Sequence, residues 1–191
     1  ACAVAVAGPL ACVAAGPAGL HVIDISNPAV PVILGSVDTP GWAYGVDVAG
    51  NFAYVADGDR GLQVVDISNP AVPVIAGSIG SAWLAFDVAV SGSYAYLADN
   101  RRFQILDISN PAAPAVVGNL DHGASGVVVA GGLAYLAYGG LEVVDISNPA
   151  APAVIGSADA PSAHAVAALG SLACIGDFDR GLEVVDVSNP A

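Results

Sequence analysis

The sequence predicts an all-β fold: a β-propeller of five blades of four antiparallel strands, the last blade lacking its outer strand. Three observations predict it. First, Asp-Ile-Ser-Asn-Pro recurs at Asp24–Pro28, Asp66–Pro70, Asp107–Pro111 and Asp145–Pro149, and a fifth copy at Asp186–Pro190 has Val187 for Ile. Successive motif Asp residues are 42, 41, 38 and 41 positions apart, a period that marks a repeat architecture. Second, each repeat holds short apolar runs bounded by Gly, Pro, Asn and Asp. Those runs are too short for typical helices and are rich in β-branched residues. Third, Lys and Met are absent and only Glu142 and Glu183 represent Glu, whereas exposed helices draw on Glu, Lys and Leu.

The elements follow in chain order, with strands labelled A to D from the axis outwards. Blade one (residues 1–38) is predicted to place A near Ala3–Ala7, B near Leu10–Ala14, C near Leu20–Ile25 and D near Val30–Val37. Blade two (39–80) is the clearest. Its runs at Tyr44–Ala49, Phe52–Asp57, Leu62–Ile67 and Val72–Ile79 are separated by Gly50-Asn51, by Gly58–Gly61 and by Ser68-Asn69-Pro70. Blade three (81–120) reads as A near Phe86–Val90, B near Tyr94–Ala98, C near Phe103–Ile108 and D near Ala113–Gly118. Blade four (121–158) reads as Gly126–Ala130, Leu133–Ala137, Leu141–Ile146 and Ala151–Ser157. Blade five (159–191) offers Ala163–Leu169, Leu172–Gly176 and Leu182–Val187, and no D strand.

A blade of about forty residues exposes two apolar faces and needs neighbours to cover them. Such packing explains strands that are apolar on both sides instead of alternating. The missing strand is an outer one, so the ring can still close through the inner strands; blade five either stays three-stranded, takes its edge from another chain, or belongs to a longer propeller. Strand C of blade five is then an open edge that invites association. The uncharged stretch 1–23 imitates a membrane span but has no basic flank, and Gly8-Pro9 and Gly16-Pro17 would break a helix. It aligns with blade two, Val4 on Val46 and Leu20 on Leu62, and reads as the first repeat.

In blade two the pattern runs Ala53-Tyr54-Val55-Ala56-Asp57, then Gly61-Leu62-Gln63-Val64-Val65-Asp66-Ile67-Ser68-Asn69-Pro70. This pattern, present in all five repeats, resembles the LVIVD repeat family. The resemblance implies a bacterial or archaeal propeller, secreted or on a cell surface, mostly without an assigned activity. Blade four departs from the pattern, with Tyr138-Gly139-Gly140 shortening its B–C turn.

Composition excludes some functions. Four Arg face seventeen Asp and Glu, for a formal charge of −13. Nucleic acid and anionic membranes demand clustered cations, so neither is an expected partner, and membrane insertion is not expected. The charge chiefly serves solubility. Cys2, Cys12 and Cys174 are too few for a disulfide framework. Cys12 and Cys174 occupy equivalent positions that point the same way round a ring, so they read as small apolar residues.

Candidate site residues fall into four groups. The motif carboxylates Asp24, Asp66, Asp107, Asp145 and Asp186 read as turn formers, accepting backbone N–H bonds after strand C. The B–C turns Asp57–Gly61 and Asp177–Gly181 place carboxylates two apart (Asp57 and Asp59, Asp177 and Asp179), as a Ca²⁺ loop does. Arg60 and Arg180 favour salt-bridged turns over calcium, and no other cofactor is expected. B–C and D–A loops share one face, which gathers Trp42, Tyr44, Trp83, His122 and His164 with Asp38, Asp59, Asp121, Asp159 and Asp179. Aromatic rings beside carboxylates suit a sugar or a peptide, although Trp42 and Trp83 also fit as packing between blades. Finally, Asp47 and Asp87 lie on or beside inner strands, where a carboxylate pair is the requirement of glycoside hydrolysis.

Catalysis is disfavoured. The usual Glu acid is missing from the channel, no Gly-x-Ser-x-Gly motif is present, and the three His lack metal-ligand spacing. The expectation is a non-enzymatic binding module, secreted or on a cell surface, recognising a protein or glycan through the B–C/D–A face. One alternative is a structural unit of a surface fibre, joined to another copy or chain at the blade-five edge. The other is a glycoside-active enzyme using Asp47 and Asp87.

Overall fold

A computed structural model of the chain describes residues 1–189. Nineteen antiparallel strands form five sheets, one per repeat. Blade one holds β1 (Ala3–Ala7), β2 (Leu10–Ala14), β3 (Leu20–Asp24) and β4 (Val32–Val37). Blade two holds β5 (Gly45–Ala49), β6 (Phe52–Ala56), β7 (Leu62–Asp66) and β8 (Val74–Ile79). Blade three holds β9 (Ala85–Ser91), β10 (Tyr94–Asp99), β11 (Phe103–Asp107) and β12 (Ala115–Leu120). Blade four holds β13 (Gly126–Ala130), β14 (Leu133–Ala137), β15 (Leu141–Asp145) and β16 (Ala153–Ala158). Blade five holds β17 (Ala163–Leu169), β18 (Leu172–Asp177) and β19 (Gly181–Asp186). Residues 1–23 are the first three strands of blade one. Among the described residues no helix is long and apolar enough to cross a membrane.

The outer strands start later than the apolar pattern predicts. Val30 N donates to the Asn27 carbonyl, and the same turn recurs at Val72, Ala113 and Ala151. Pro31 and its counterparts have no N–H for a ladder, so pairing begins only after them. In blades one to four the C–D pairing slips at one shared place, leaving Leu34, Ala76, Val117 and Ile155 bulged. The glycine after each bulge lets blades approach. A Cβ on Gly35 would collide with the Pro70 carbonyl, one on Gly77 with that of Pro111, and one on Gly118 with that of Pro149. Pro70, Pro111 and Pro149 therefore seat on the preceding blade's outer strand. Pro190, the last residue of the fifth motif, lies outside the described residues.

Four apolar cores hold the blades together, one between each successive pair. Every core uses the same chemistry. The forward face of a blade supplies two residues of strand B and two of strand C, in blade two Tyr54, Ala56, Leu62 and Val64. The backward face of the next supplies Val88, Ala95, Leu97, Leu106 and Ile108. At the axis, β1 packs on β5, β5 on β9, β9 on β13 and β13 on β17.

Of the outcomes open to blade five, closure through the inner strands is not seen among the described residues. No core among the described residues joins blade five to blade one, and the five blades form an open arc. Val4 and Val6 on blade one are 61% and 64% exposed, and Leu182 and Val184 on blade five are 74% and 57% exposed. Among the described residues β1 and β17 do not pack on each other as the inner strands of successive blades do. The outer edge of β19 pairs with no strand among the described residues.

Candidate binding face

The loops between strands B and C and between strands D and A lie at one end of the arc, and buried carboxylates build them. Asp57, at the end of β6, accepts from Thr39 Oγ1 at 2.6 Å and from Gly41 N at 2.8 Å. Asp99 accepts from Ser81 Oγ at 3.0 Å and Arg101 N at 2.9 Å. Asp177 accepts from Ser162 N at 3.0 Å and from Asp179 N and Arg180 N at 2.8 Å. Each clasps a B–C turn to the preceding D–A loop, so one buried charge orders two loops. The microenvironments differ. Burial raises the Asp57 pKa against the Thr39 and Gly41 hydrogen bonds. At Asp177 burial also pushes up, but three backbone N–H donors and the Arg180 charge outweigh it and hold the pKa low.

These clasps bear directly on the calcium reading of Asp57, Asp59, Asp177 and Asp179. Asp57 and Asp177 spend both oxygens on loop hydrogen bonds. Asp59 pairs with its neighbour Arg60 at 3.7 Å, and Asp179 accepts from Ser162 Oγ. Among the described residues no three acidic, His or Cys side chains converge as a metal site would require.

Asp47 and Asp87 lie at the axis and act as cross-blade struts. Asp47 accepts from Val48 N at 2.8 Å and, across to β9, from Val90 N at 2.7 Å. Asp87 accepts from Val88 N at 2.9 Å and, across to β13, from Val127 N at 3.0 Å. Burial pushes Asp87 up to about 6, opposed by the Val127 and Val88 N–H groups and reinforced by the Asp47 charge. All four oxygens are occupied by backbone donors, the reverse of a hydrolytic pair that must keep an acid and a nucleophile free.

The five motif carboxylates accept from the backbone N–H two residues on: Ser26, Ser68, Ser109, Ser147 and Ser188, at 2.8 to 2.9 Å. The Ser hydrogen bonds hold each pKa below the usual carboxylate value. They lie at the opposite end of the blades from the clasps and take no part in the face.

The aromatic residues assemble around the inner mouth of the arc. Trp42 lies over Gly16 of blade one, where a Cβ would stand 2.9 Å from its Nε1. Its ring stacks with Tyr44 at 6.2 Å, and Tyr44 meets Phe86 edge-on at 5.3 Å. Further round, Phe86, Ser125, Tyr138, Ser162, His164 and Phe178 line a cleft of about 520 Å³. His164 and Phe178 stack at 3.7 Å, with Phe178 78% exposed. Even stacked on one side, a Phe ring that keeps this much surface in water offers apolar area for a ligand to cover.

Other predicted residues stand apart. Trp83 lies under the Arg101 guanidinium at 4.5 Å and, with Asp59 and Asn100, borders a separate cleft of about 260 Å³. His122 is paired through Nδ1 with Glu142 at 2.9 Å. Asp121 pairs with Arg102 at 2.9 Å and Asp159 with Arg180 at 3.3 Å, so the acidic rim is partly neutralised. Among the free cysteines, Cys12 is buried and its thiol pushed up to about 11, while Cys2 is exposed.

Sequence reading missed Phe86, Tyr138, Phe178 and Asp99. The signals existed. Tyr44, Phe86, Ser125 and His164 share one repeat position at the start of strand A, and Phe178 replaces Gly58 in an otherwise matching turn.

The LVIVD repeat family profile matches residues 1–39, 40–81, 82–122, 123–160 and 161–191. The chain belongs to the LVIVD repeat family. No curated protein matches it. Among solved structures it is similar to the computationally designed Ika8 protein, with a TM-score of 0.74 and 10% identity over 96% of this chain and 57% of that one. It is also similar to Sqt1 of Saccharomyces cerevisiae, at a TM-score of 0.69 and 11% identity, covering all of this chain and 73% of that one. The designed Ika4 protein matches at a TM-score of 0.64 and 8% identity over 78% of this chain and 94% of that one. At these identities the likeness concerns the fold alone. The LVIVD chain spans little more than half of the length of Ika8.

Proposed function

We propose that this LVIVD chain is a non-enzymatic interaction module, working outside the cell or at its surface, that binds through the aromatic mouth of the B–C/D–A face. The observation that carries the reading is the Phe86–Tyr138–His164–Phe178 cleft, with the Trp42–Tyr44 pair continuing it round the mouth. Rigid rings over a loop scaffold clamped by buried carboxylates supply contact area at little entropic cost. The −13 charge selects against anionic ligands. The ligand class that fits is a neutral glycan or a basic segment of another protein.

The test is binding to glycan and peptide arrays by the parent chain and by a Trp42→Ala/Phe86→Ala/Phe178→Ala variant. Binding should fall at least ~10-fold, the loss of one or two stacked contacts, while the β-sheet circular dichroism is retained. Undiminished binding by the triple variant would remove the face from consideration. An enzymatic reading has less support, because Asp47 and Asp87 are engaged as struts. Glycosidase activity lost in Asp87→Asn would revive it.

A further inference from the structure

The arc has two unlike apolar ends, and each is half of an interface that the molecule already makes four times. The forward face of blade five carries Cys174, Gly176, Leu182 and Val184 at the positions of Tyr54, Ala56, Leu62 and Val64. In blade two those last two residues have no surface in water, whereas Leu182 and Val184 have most of theirs. The backward face of blade one carries Val4, Ala11, Val13, Ile23 and Ile25, the counterparts of Val46, Ala53, Val55, Val65 and Ile67. Those five residues of blade two are buried against blade one.

We infer that the forward face of blade five docks on the backward face of blade one of a second copy of this chain, head to tail, as a fifth core of the repeating kind.

Two features support this occupant. The contact continues an established interface, so both surfaces already have the periodicity of their partner. The two faces are different in kind, small and leucine-bearing on blade five, β-branched on blade one, so each fits the other and not itself. Head-to-tail contacts are heterologous. They close into a ring if the rotation permits and run on as a filament if it does not. The contact differs from edge pairing at β19, because it buries sheet faces and adds no strand.

The test uses two variants of the 191-residue chain, Val4→Glu/Val6→Glu and Leu182→Glu/Val184→Glu, in sedimentation velocity from low to high micromolar concentration. All four side chains are exposed in the single chain, so neither variant should lose its blades. The parent chain is expected to reach the mass of two chains or a higher multiple. Each variant alone should stay monomeric, because a head-to-tail contact needs both faces. An equimolar mixture of the two should restore a two-chain species, joined through the one intact pair of faces. A parent chain that stays monomeric throughout would overturn the proposal. So would self-association of either variant alone, since that needs only like faces.

Discussion

Leu62 and Leu182 occupy the same place in their repeats, and the molecule treats them in opposite ways. Leu62 has none of its surface in water, and Leu182 has 74%. The flanking patterns, Gly-Leu-Gln-Val-Val-Asp and Gly-Leu-Glu-Val-Val-Asp, are all but identical. The difference lies outside either repeat: blade three packs on the forward face of blade two, and among the described residues no blade packs on that of blade five. A repeat thus encodes a strand pattern and two sticky faces. Whether a face becomes core depends on its neighbour, the behaviour of a quasi-one-dimensional array whose stability resides in nearest-neighbour interfaces.

The largest expected effect sharpens that contrast. Leu62→Ala should cost about 3–5 kcal/mol of unfolding free energy, the usual range for a buried leucine. Leu182→Ala should cost within about 0.5 kcal/mol in dilute solution, as surface changes do. Urea titrations of both variants measure this. Equal losses at low concentration would mean that the blade-five face is covered after all.

Next in size is the seat of the motif proline. Gly77→Ala forces a methyl group onto the Pro111 backbone carbonyl, and backbone cannot step aside as a flexible side chain can. A loss of about 3 kcal/mol is expected. Gly80→Ala, three residues on with no atom within 4 Å of the new methyl, is the matched control and should be near neutral. Similar losses in both would show that the inter-blade seat is looser than the geometry indicates.

The inner struts come third. Asp87 titrates at about 6 when folded, against a model-compound value of 3.8. The folded state therefore binds the proton more tightly than the unfolded one, and stability falls as pH rises from about 4 to about 6, by on the order of 3 kcal/mol. Asp57, raised in the same direction, adds to the fall. Urea midpoints from pH 4 to 7 should decline across that window, and decline less in Asp87→Asn. A rise with pH over the same interval would contradict the burial of this carboxylate.

The smallest effect belongs to the exposed motif carboxylates, whose lowered pKa works with the opposite sign. Their stabilisation is complete above the unfolded pKa and is lost as pH falls through the folded value, below the window of Asp87. Asp66→Asn should abolish its share of the acid-limb loss and leave the midpoint at pH 7 little changed. A large loss at neutral pH would assign the motif Asp a role beyond its turn.

Much of the molecule was legible from residue patterns. The five repeats and the strand sequence within them follow from apolar runs punctuated by Gly, Asn and Pro. Those signals are local: a turn residue acts on its own backbone, and a β-branched run selects extended conformation wherever it stands. The binding face was half legible. Trp42, Tyr44 and His164 stood out by type and loop position, yet Phe86 and Phe178 reach the same cleft from blades three and five. No spacing rule along the chain brings residues 92 positions apart onto one rim. Asp47 and Asp87 were recognised as channel carboxylates, but only their hydrogen bonds to Val90 and Val127 reveal struts between blades.

By itself, then, the sequence determined the repeat unit: its strands, its turns, and a pair of apolar faces on every blade. The tertiary structure alone decided that five such units stop short of a circle. Closure depends on the angle between blades, which is set by how Tyr54, Leu62 and their counterparts pack into the next sheet. Small angular differences accumulate over four interfaces, and no single residue carries the sum.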